Sequence, residues 1–146
     1  MGGGTGTAVM SHLVVLDNEA VQALASPTHP KHRKVLAHVQ VVTSRKRRAM
    51  QVSLVVPTTV RVEAGWDRSA PACVFLNRMR IADVPLDTAQ ADFAASIRNH
   101  AQVSVADAHL GAVFQESPAN MITVVTSDPA DMRKVAGDKN VTVATI

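Results

Sequence analysis

The sequence predicts a three-layer α/β fold with a central parallel sheet of four to five strands. Two observations predict it. Short apolar runs (Leu13 to Leu16, Val52 to Val56, Ile122 to Val125) end abruptly in an acid, a proline or a Thr-Ser-Asp step. Between such runs lie stretches with apolar residues at helical spacing, and strands that alternate with helices form parallel neighbours joined by right-handed crossovers. A chain of 146 residues, 47% of them hydrophobic, suits one domain.

The elements follow in order. Met1 to Met10 is glycine-rich, and residues 1–11 read as a flexible extension ahead of a single domain over 12–146, with Met1 or Met10 as the start. The run Gly2-Gly3-Gly4-Thr5-Gly6-Thr7 precedes a strand instead of following one and has no P-loop lysine, so it is no phosphate cradle. A first strand occupies about 12–17 and a helix runs through about Ala25. Ser26-Pro27-Thr28-His29-Pro30 interrupts, and a helix with Val35, Leu36, Val39 and Val42 runs towards Met50.

The second strand, about 52–56, is closed by Pro57, and Thr58 or Thr59 is placed to cap a helix with Val60, Val62, Ala64 and Trp66. Pro71 opens a helix with Val74, Phe75 and Met79, and Ile81 to Leu86 reads as a short strand. Asp87 caps a helix with Ala91, Phe93, Ala94 and Ile97, and Ser104 to Gln115 forms another. A strand at about 121–126, a helix from Pro129 to Ala136 ended by Gly137, and a strand from Val141 to Thr145 complete the chain.

Composition narrows the function. Charged residues are 18%, and no apolar run approaches the ~18 residues of a membrane span. No secretory signal is visible, and Cys73 is the single cysteine, so an internal disulfide, a Cys/His zinc framework and a CxxC redox pair are excluded. A cytoplasmic location is the expectation. The net charge of +3 conceals an asymmetry, since no acid lies between Glu19 and Glu63. That stretch holds Lys31, Arg33, Lys34, Arg45, Lys46, Arg47, Arg48 and Arg61, leaving seven of the fifteen bases with all twelve acids. One region should attract polyanions while another gathers carboxylates.

The acids carry the chemistry. Asp17 and Asp128 stand at strand ends, and Glu63 and Asp107 lie early on helices that follow the same edge. In open parallel sheets, sites form beyond the carboxyl ends of the strands where strand order reverses. If the strands preceding Asp17 and Asp128 are neighbours, their carboxylates converge, and Glu63 and Asp107 can reach the same crevice. Clustered unpaired carboxylates raise one another's pKa and are unfavourable unless something positive binds. Oxygen donors without histidine or cysteine favour Mg²⁺ or Mn²⁺ over zinc.

Four stretches in order resemble the acidic motifs of PIN-domain ribonucleases, closest to the VapC-type toxins of bacterial toxin–antitoxin pairs. They are Leu-Asp17-Asn-Glu-Ala, Val-Pro57-Thr-Thr-Val-Arg-Val-Glu63, Ser-Val-Ala-Asp107-Ala-His-Leu-Gly-Ala and Val-Val-Thr126-Ser-Asp128-Pro-Ala-Asp131. The resemblance covers nearly the whole chain from His12 to Ile146. It implies a PIN-like fold and a metal-dependent endoribonuclease held inactive by a cognate antitoxin. The family's acids fall on Asp17, Glu63, Asp107 and Asp128, and its hydroxyl before the last aspartate on Thr126. Asn18 stands where a Ser or Thr is common, and Asp131 is a fifth carboxylate that competes with Asp128.

Hydrolysis of a phosphodiester needs a nucleophile from water and charge stabilisation, which carboxylate-held metals supply. In this assignment Asp17 and Asp107 are principal metal ligands, and Asp128 is a ligand directly or through water. Glu63 orients or deprotonates the attacking water, as ligand or base. Thr126 holds a neighbouring carboxylate or water. With no tyrosine and 3% aromatic residues, RNA is expected to be held through charge. Arg45, Lys46, Arg47 and Arg48 lead the phosphate-contact candidates, with Arg33, Lys34 and Arg61 next. An acidic antitoxin segment could compete for that surface, and an antitoxin arginine could enter the carboxylate pocket.

Other residues read as structural. Trp66 suits core or interface packing, His109 shares a helix with Asp107, and His29, His32 and His38 suit loop or surface roles. Cys73 reads as a buried small hydrophobe. Val60, Val62, Trp66 and Phe75 offer a homodimer face. The alternative class is a non-catalytic α/β interaction module with a vestigial or structural metal site. A phosphoacceptor receiver would need a second acid where Asn18 stands and a late lysine after a strand, and the sequence weighs against it.

Overall fold

A computed structural model describes residues 10–44 and 50–146. Five strands form one sheet: β1 (Met10–Leu16), β2 (Met50–Pro57), β3 (Ala82–Val84), β4 (Met121–Thr126) and β5 (Thr142–Thr145). Their order is β3-β2-β1-β4-β5 and every pairing is parallel. The helices are α1 (Asn18–Ala25), α2 (His32–Ser44), α3 (Thr58–Ala64), α4 (Val74–Asn77), α5 (Thr88–Ala101), α6 (Val105–Glu116) and α7 (Pro129–Ala136). The α1, α2 and α4 helices pack together, α5, α6 and α7 form the other layer, and α3 touches both α1 and α6. No helix among the described residues is long and apolar enough to cross a membrane.

The central strands explain why the sheet is covered on both faces. Val14, Val15 and Leu16 of β1 are completely buried, as are Val124 and Val125 of β4. Such runs have no polar side for water, so helices must cover both surfaces. Val15 pairs with Val55 on one side and Val124 on the other, which places β1 at the centre. From β1 the chain moves outward through β2 to β3, then returns to the opposite side of β1 as β4. Strand order therefore reverses between β1 and β4, the switch point that opens a crevice at their carboxyl ends.

Several boundaries differ from expectation. β1 begins at Met10, so Met10 and Ser11 belong to the sheet, where Asn120 Oδ1 accepts from both the Ser11 amide and hydroxyl. Residues 1–9 of the expected extension lie outside the described residues. Neither Thr58 nor Thr59 caps α3: Pro57 takes that place with no side-chain bond. The two hydroxyls turn outward from the helix, Thr58 accepting from the Leu86 amide and Thr59 bonding His109. The segment opened by Pro71 is a single 3₁₀ turn (Pro71–Cys73) leading into the four-residue α4, which ends before Met79. Gly65 ends α3 at φ +71°, a left-handed conformation that glycine adopts without Cβ strain.

Side-chain packing also revises two readings. Cys73 is half-buried at the core margin instead of inside it. Of the four residues read as a homodimer face, Val60 and Trp66 are core, while Val62 is 82% exposed and Phe75 39%. Arg61 and Arg68 stack on Trp66 and both bond the Asp83 carboxylate, each with one contact at 2.9 Å. Asp83 suffers some burial, yet Arg68 and Arg61 hold its carboxyl below the usual range.

Candidate metal centre

Asp17 follows the last residue of β1 and caps α1, so its position is set by two elements at once. Its extended backbone lets Oδ1 accept from the Asn18 amide at 2.6 Å. Oδ2 accepts from the Thr126 hydroxyl, also at 2.6 Å. Thr126 ends β4, is fully buried, and its oxygen in turn accepts from the Asp128 amide at 2.9 Å. The adjacent pairing of β1 with β4 makes this chain of bonds, and the Asp17 amide itself donates to Val125 O. Burial pushes the Asp17 carboxyl above its ordinary value, while Thr126 and Asn18 pull it back and Asp128 and Glu19 push it further up. The Thr126 hydroxyl thus donates to a neighbouring carboxylate.

Asp107 lies in the first turn of α6, where its amide donates to the Ser104 hydroxyl that caps the helix. It is half-buried, and its carboxyl is pushed up to about 6 by burial first, then by the charges of Asp17, Asp131 and Glu63. None of the groups acting most on it is basic. Asp131 is raised by its hydrogen bond with Asp128, then by burial and the Asp128 charge. Asp128 is exposed and caps α7, with Oδ1 accepting weakly from the Asp131 amide at 3.4 Å. Glu63 is exposed on the last turn of α3, not near its start, and enters the group through its charge on Asp107.

Asp17, Asp131 and Glu63 therefore act by charge on Asp107, and Asp128 acts on Asp17 and Asp131. They do not form a finished cage. Among the described residues no three histidine, cysteine or acidic side chains stand close enough to hold a metal ion together. The donor chemistry nevertheless fits a hard divalent cation: the set is carboxylate oxygen, mutually repelling, with hydroxyl and amide donors on Asp17 and one basic neighbour, Lys134, 3.8 Å from Asp131. Asp128 and Glu63 are exposed, and Asp131 is half-buried.

The basic candidates fare unequally. Arg45, Lys46, Arg47 and Arg48 lie outside the described residues. Arg61 is engaged by Asp83 and Trp66, so it leaves the phosphate-contact set. Arg33 and Lys34 are exposed on α2. His29 pairs with Glu19 at 2.9 Å, and His32 bonds the Ala23 carbonyl beside the Phe75 ring. His109 is fully buried with Nδ1 2.8 Å from Thr59 Oγ1, and burial lowers its pKa although the Pro85 carbonyl and Asp87 act the other way. The Thr59–His109 link and the Arg61–Asp83–Arg68 box escaped sequence reading, because partners 50 and 15 to 22 positions apart share no local pattern.

No family model matches the chain, and no curated protein matches it by sequence. Solved structures do match. A chain in the crystal structure of VapBC2 from Rickettsia felis, bound to a DNA fragment from their promoter, aligns at TM-score 0.61 and 11% identity. That alignment covers 92% of this chain and 98% of the other. FitAB bound to the IR36 DNA fragment gives TM-score 0.53 and 18% identity, over 90% of this chain and 94% of that one. FitAcB from Neisseria gonorrhoeae gives the same score and identity, over 89% and 95%. At such identities the likeness establishes the fold: five parallel strands and seven helices in a PIN-like arrangement.

Proposed function

We propose that this chain is a Mg²⁺- or Mn²⁺-dependent endoribonuclease of the VapC type, the toxin of a toxin–antitoxin pair. The observation that carries the reading is the half-buried Asp107, whose carboxyl is pushed up to about 6 by burial and three further acids. Such an arrangement is costly in the empty protein and favourable once a cation binds. The PIN-like fold shared with VapBC2 and FitAB, and the ordered motifs around Asp17, Glu63, Asp107 and Asp128, supply the reaction class.

Asp17 and Asp107 would hold the metal as principal ligands, with Asp128 or Asp131 completing the set. A bound divalent ion supplies an activated water and neutralises charge on the scissile phosphate. The protein's own part is to fix Asp17 through Thr126 and Asn18, so that one carboxylate stays oriented. Glu63, exposed on α3, would orient or deprotonate the attacking water, as ligand or base. The N-terminal half of the chain supplies the cationic surface, with Arg33 and Lys34 on α2 and Arg45 to Arg48 beyond its described end. The partners follow from the reading: RNA as substrate, a cognate antitoxin, a second copy in a homodimer, and the cytoplasm as the working compartment.

The alternative is a non-catalytic interaction module, favoured by the absence of a preassembled three-ligand group among the described residues. One experiment separates the two. Purified protein is mixed with a broad RNA panel and Mn²⁺, with EDTA, and as Asp17→Asn or Asp107→Asn. Cleavage that needs the metal and both acids supports the nuclease. Folded wild type that leaves every RNA intact while binding Mn²⁺ makes the interaction module the correct reading.

A further inference from the structure

The buried imidazole of His109 occupies a junction that the acids alone do not explain. It lies on α6, two residues beyond Asp107, with no exposed surface. Nδ1 bonds Thr59 Oγ1 at 2.8 Å, and Thr59 lies on α3, four residues and about one helical turn before Glu63. Thr58, next to it, accepts from the Leu86 amide. The Pro85 carbonyl beside the ring brings the same segment against His109. Three pieces of chain therefore meet at one ring: the first turn of α3, the first half of α6, and residues 85–86.

This junction matters because it is the side-chain hydrogen bond that ties α3 to α6, whereas Thr58 and Arg61 tie the same helix to Leu86 and to Asp83. The α3 helix has seven residues, no side-chain cap at its start and a glycine at its end. A helix this short is marginal alone and takes its orientation from tertiary contacts. Val60 buries completely beneath it, but an apolar contact is not directional in the way a hydrogen bond is. The Glu63 carboxylate has no hydrogen bond among the described residues, so the helix backbone determines where it begins.

We propose that the Thr59–His109 hydrogen bond is a positioning device that sets Glu63 of α3 against Asp107 of α6. The inference deepens the nuclease reading and rests on it for its consequence on catalysis, while its geometric content stands apart. Neither residue touches the metal or the RNA; both act through Glu63.

The test uses full-length protein and the isosteric Thr59→Val, with Thr59→Ser as the rescue. By Mn²⁺ titration, Thr59→Val weakens affinity about tenfold, as loss of a ligand-orienting bond does, and Thr59→Ser restores it. In RNA cleavage, Thr59→Val lowers kcat and leaves KM within twofold. Combined with Glu63→Gln, Thr59→Val adds no further loss, because the residue it positions is already gone. Additive losses, or unchanged Mn²⁺ affinity and kcat, overturn the proposal. A metal-free measurement decides if the wild type neither binds Mn²⁺ nor cuts RNA, an outcome that sinks the nuclease reading alone. The Asp107 carboxyl ¹³C resonance at fixed pH shifts on Glu63→Gln. That response disappears in the Thr59→Val background and returns with Thr59→Ser if the bond positions Glu63; its persistence refutes the role.

Discussion

Thr126→Val isolates what a single hydroxyl does for a buried acid. The substitution keeps volume but removes the donor to Asp17 Oδ2 and the acceptor for the Asp128 amide. Leaving such groups unpaired costs about 1–3 kcal/mol in urea unfolding, and Mn²⁺ affinity falls about 10- to 100-fold. Unchanged stability together with unchanged affinity would show that Asp17 is oriented by something else. Asp107 sets the sign of a pH effect. Its folded carboxyl titrates at about 6, above its ordinary 3.8, so the ionised form opposes folding. That penalty is complete above pH 6, fades as pH falls through 6 and is gone below 3.8. In EDTA, Asp107→Asn is therefore more stable than wild type at pH 7.5, by the order of 1 kcal/mol after solvent screening, and the advantage shrinks at pH 4.5. Added Mg²⁺ should reverse the ranking, because binding stabilises the wild type by mass action. A wild type as stable as the variant at pH 7.5 in EDTA refutes the charge argument. The sequence showed Asp17, Asp107, Asp128 and Thr126 because each ends a strand or opens a helix. It did not show that Glu63 sits on the last turn of α3, since helix length depends on where Gly65 turns left-handed. Nor did it show Asp131 acting on Asp107, a relation between two helices.

The close approach of α6 and α7 depends on one missing side chain. A Cβ built on Gly111 would lie 2.8 Å from both Val135 Cβ and Val135 O, and 3.1 Å from Ile97 Cδ1. Backbone and a β-branched side chain cannot yield cheaply, so Gly111→Ala should destabilise by about 1–3 kcal/mol despite alanine's better helix propensity. Denaturant midpoints check this, and a gain in stability would mean that α7 is free to move. Because α6 carries Asp107 and α7 carries Asp131, the same substitution should also weaken Mn²⁺ binding. At this scale the sequence performed well wherever periodicity and caps agreed: Asp87 caps α5 through the Gln90 amide and Ser104 caps α6 through Asp107. It performed poorly over 58–79. There the elements are short, and their ends are decided by the Trp66 stack with Arg61 and Arg68 and by its indole bond to Asn77. Tertiary contacts of that kind leave no trace in local spacing.

The whole chain separates charge by region, and the separation is testable. Replacing Arg45, Lys46, Arg47 and Arg48 with Gln should lower RNA affinity at low salt and flatten its dependence on salt, since fewer counterions are released. An unchanged slope would move the RNA surface to α2 or elsewhere. Strand order was legible only in part: alternation of strands and helices implied parallel pairing, and the adjacency of β1 and β4 was stated as a condition. The register Leu16 with Val125 fulfils that condition. It also fixes a matter of timing. Asp17 and the hydroxyl that holds it are 109 positions apart. At roughly 5–20 residues per second of synthesis, Thr126 emerges several seconds or more after Asp17. Throughout that interval Asp17 lacks its neighbouring strand, and Asp128 does not exist. If the chain is the nuclease proposed above, its carboxylate site stays incomplete on the ribosome until the strand that carries Thr126 and the acid beyond it have been made.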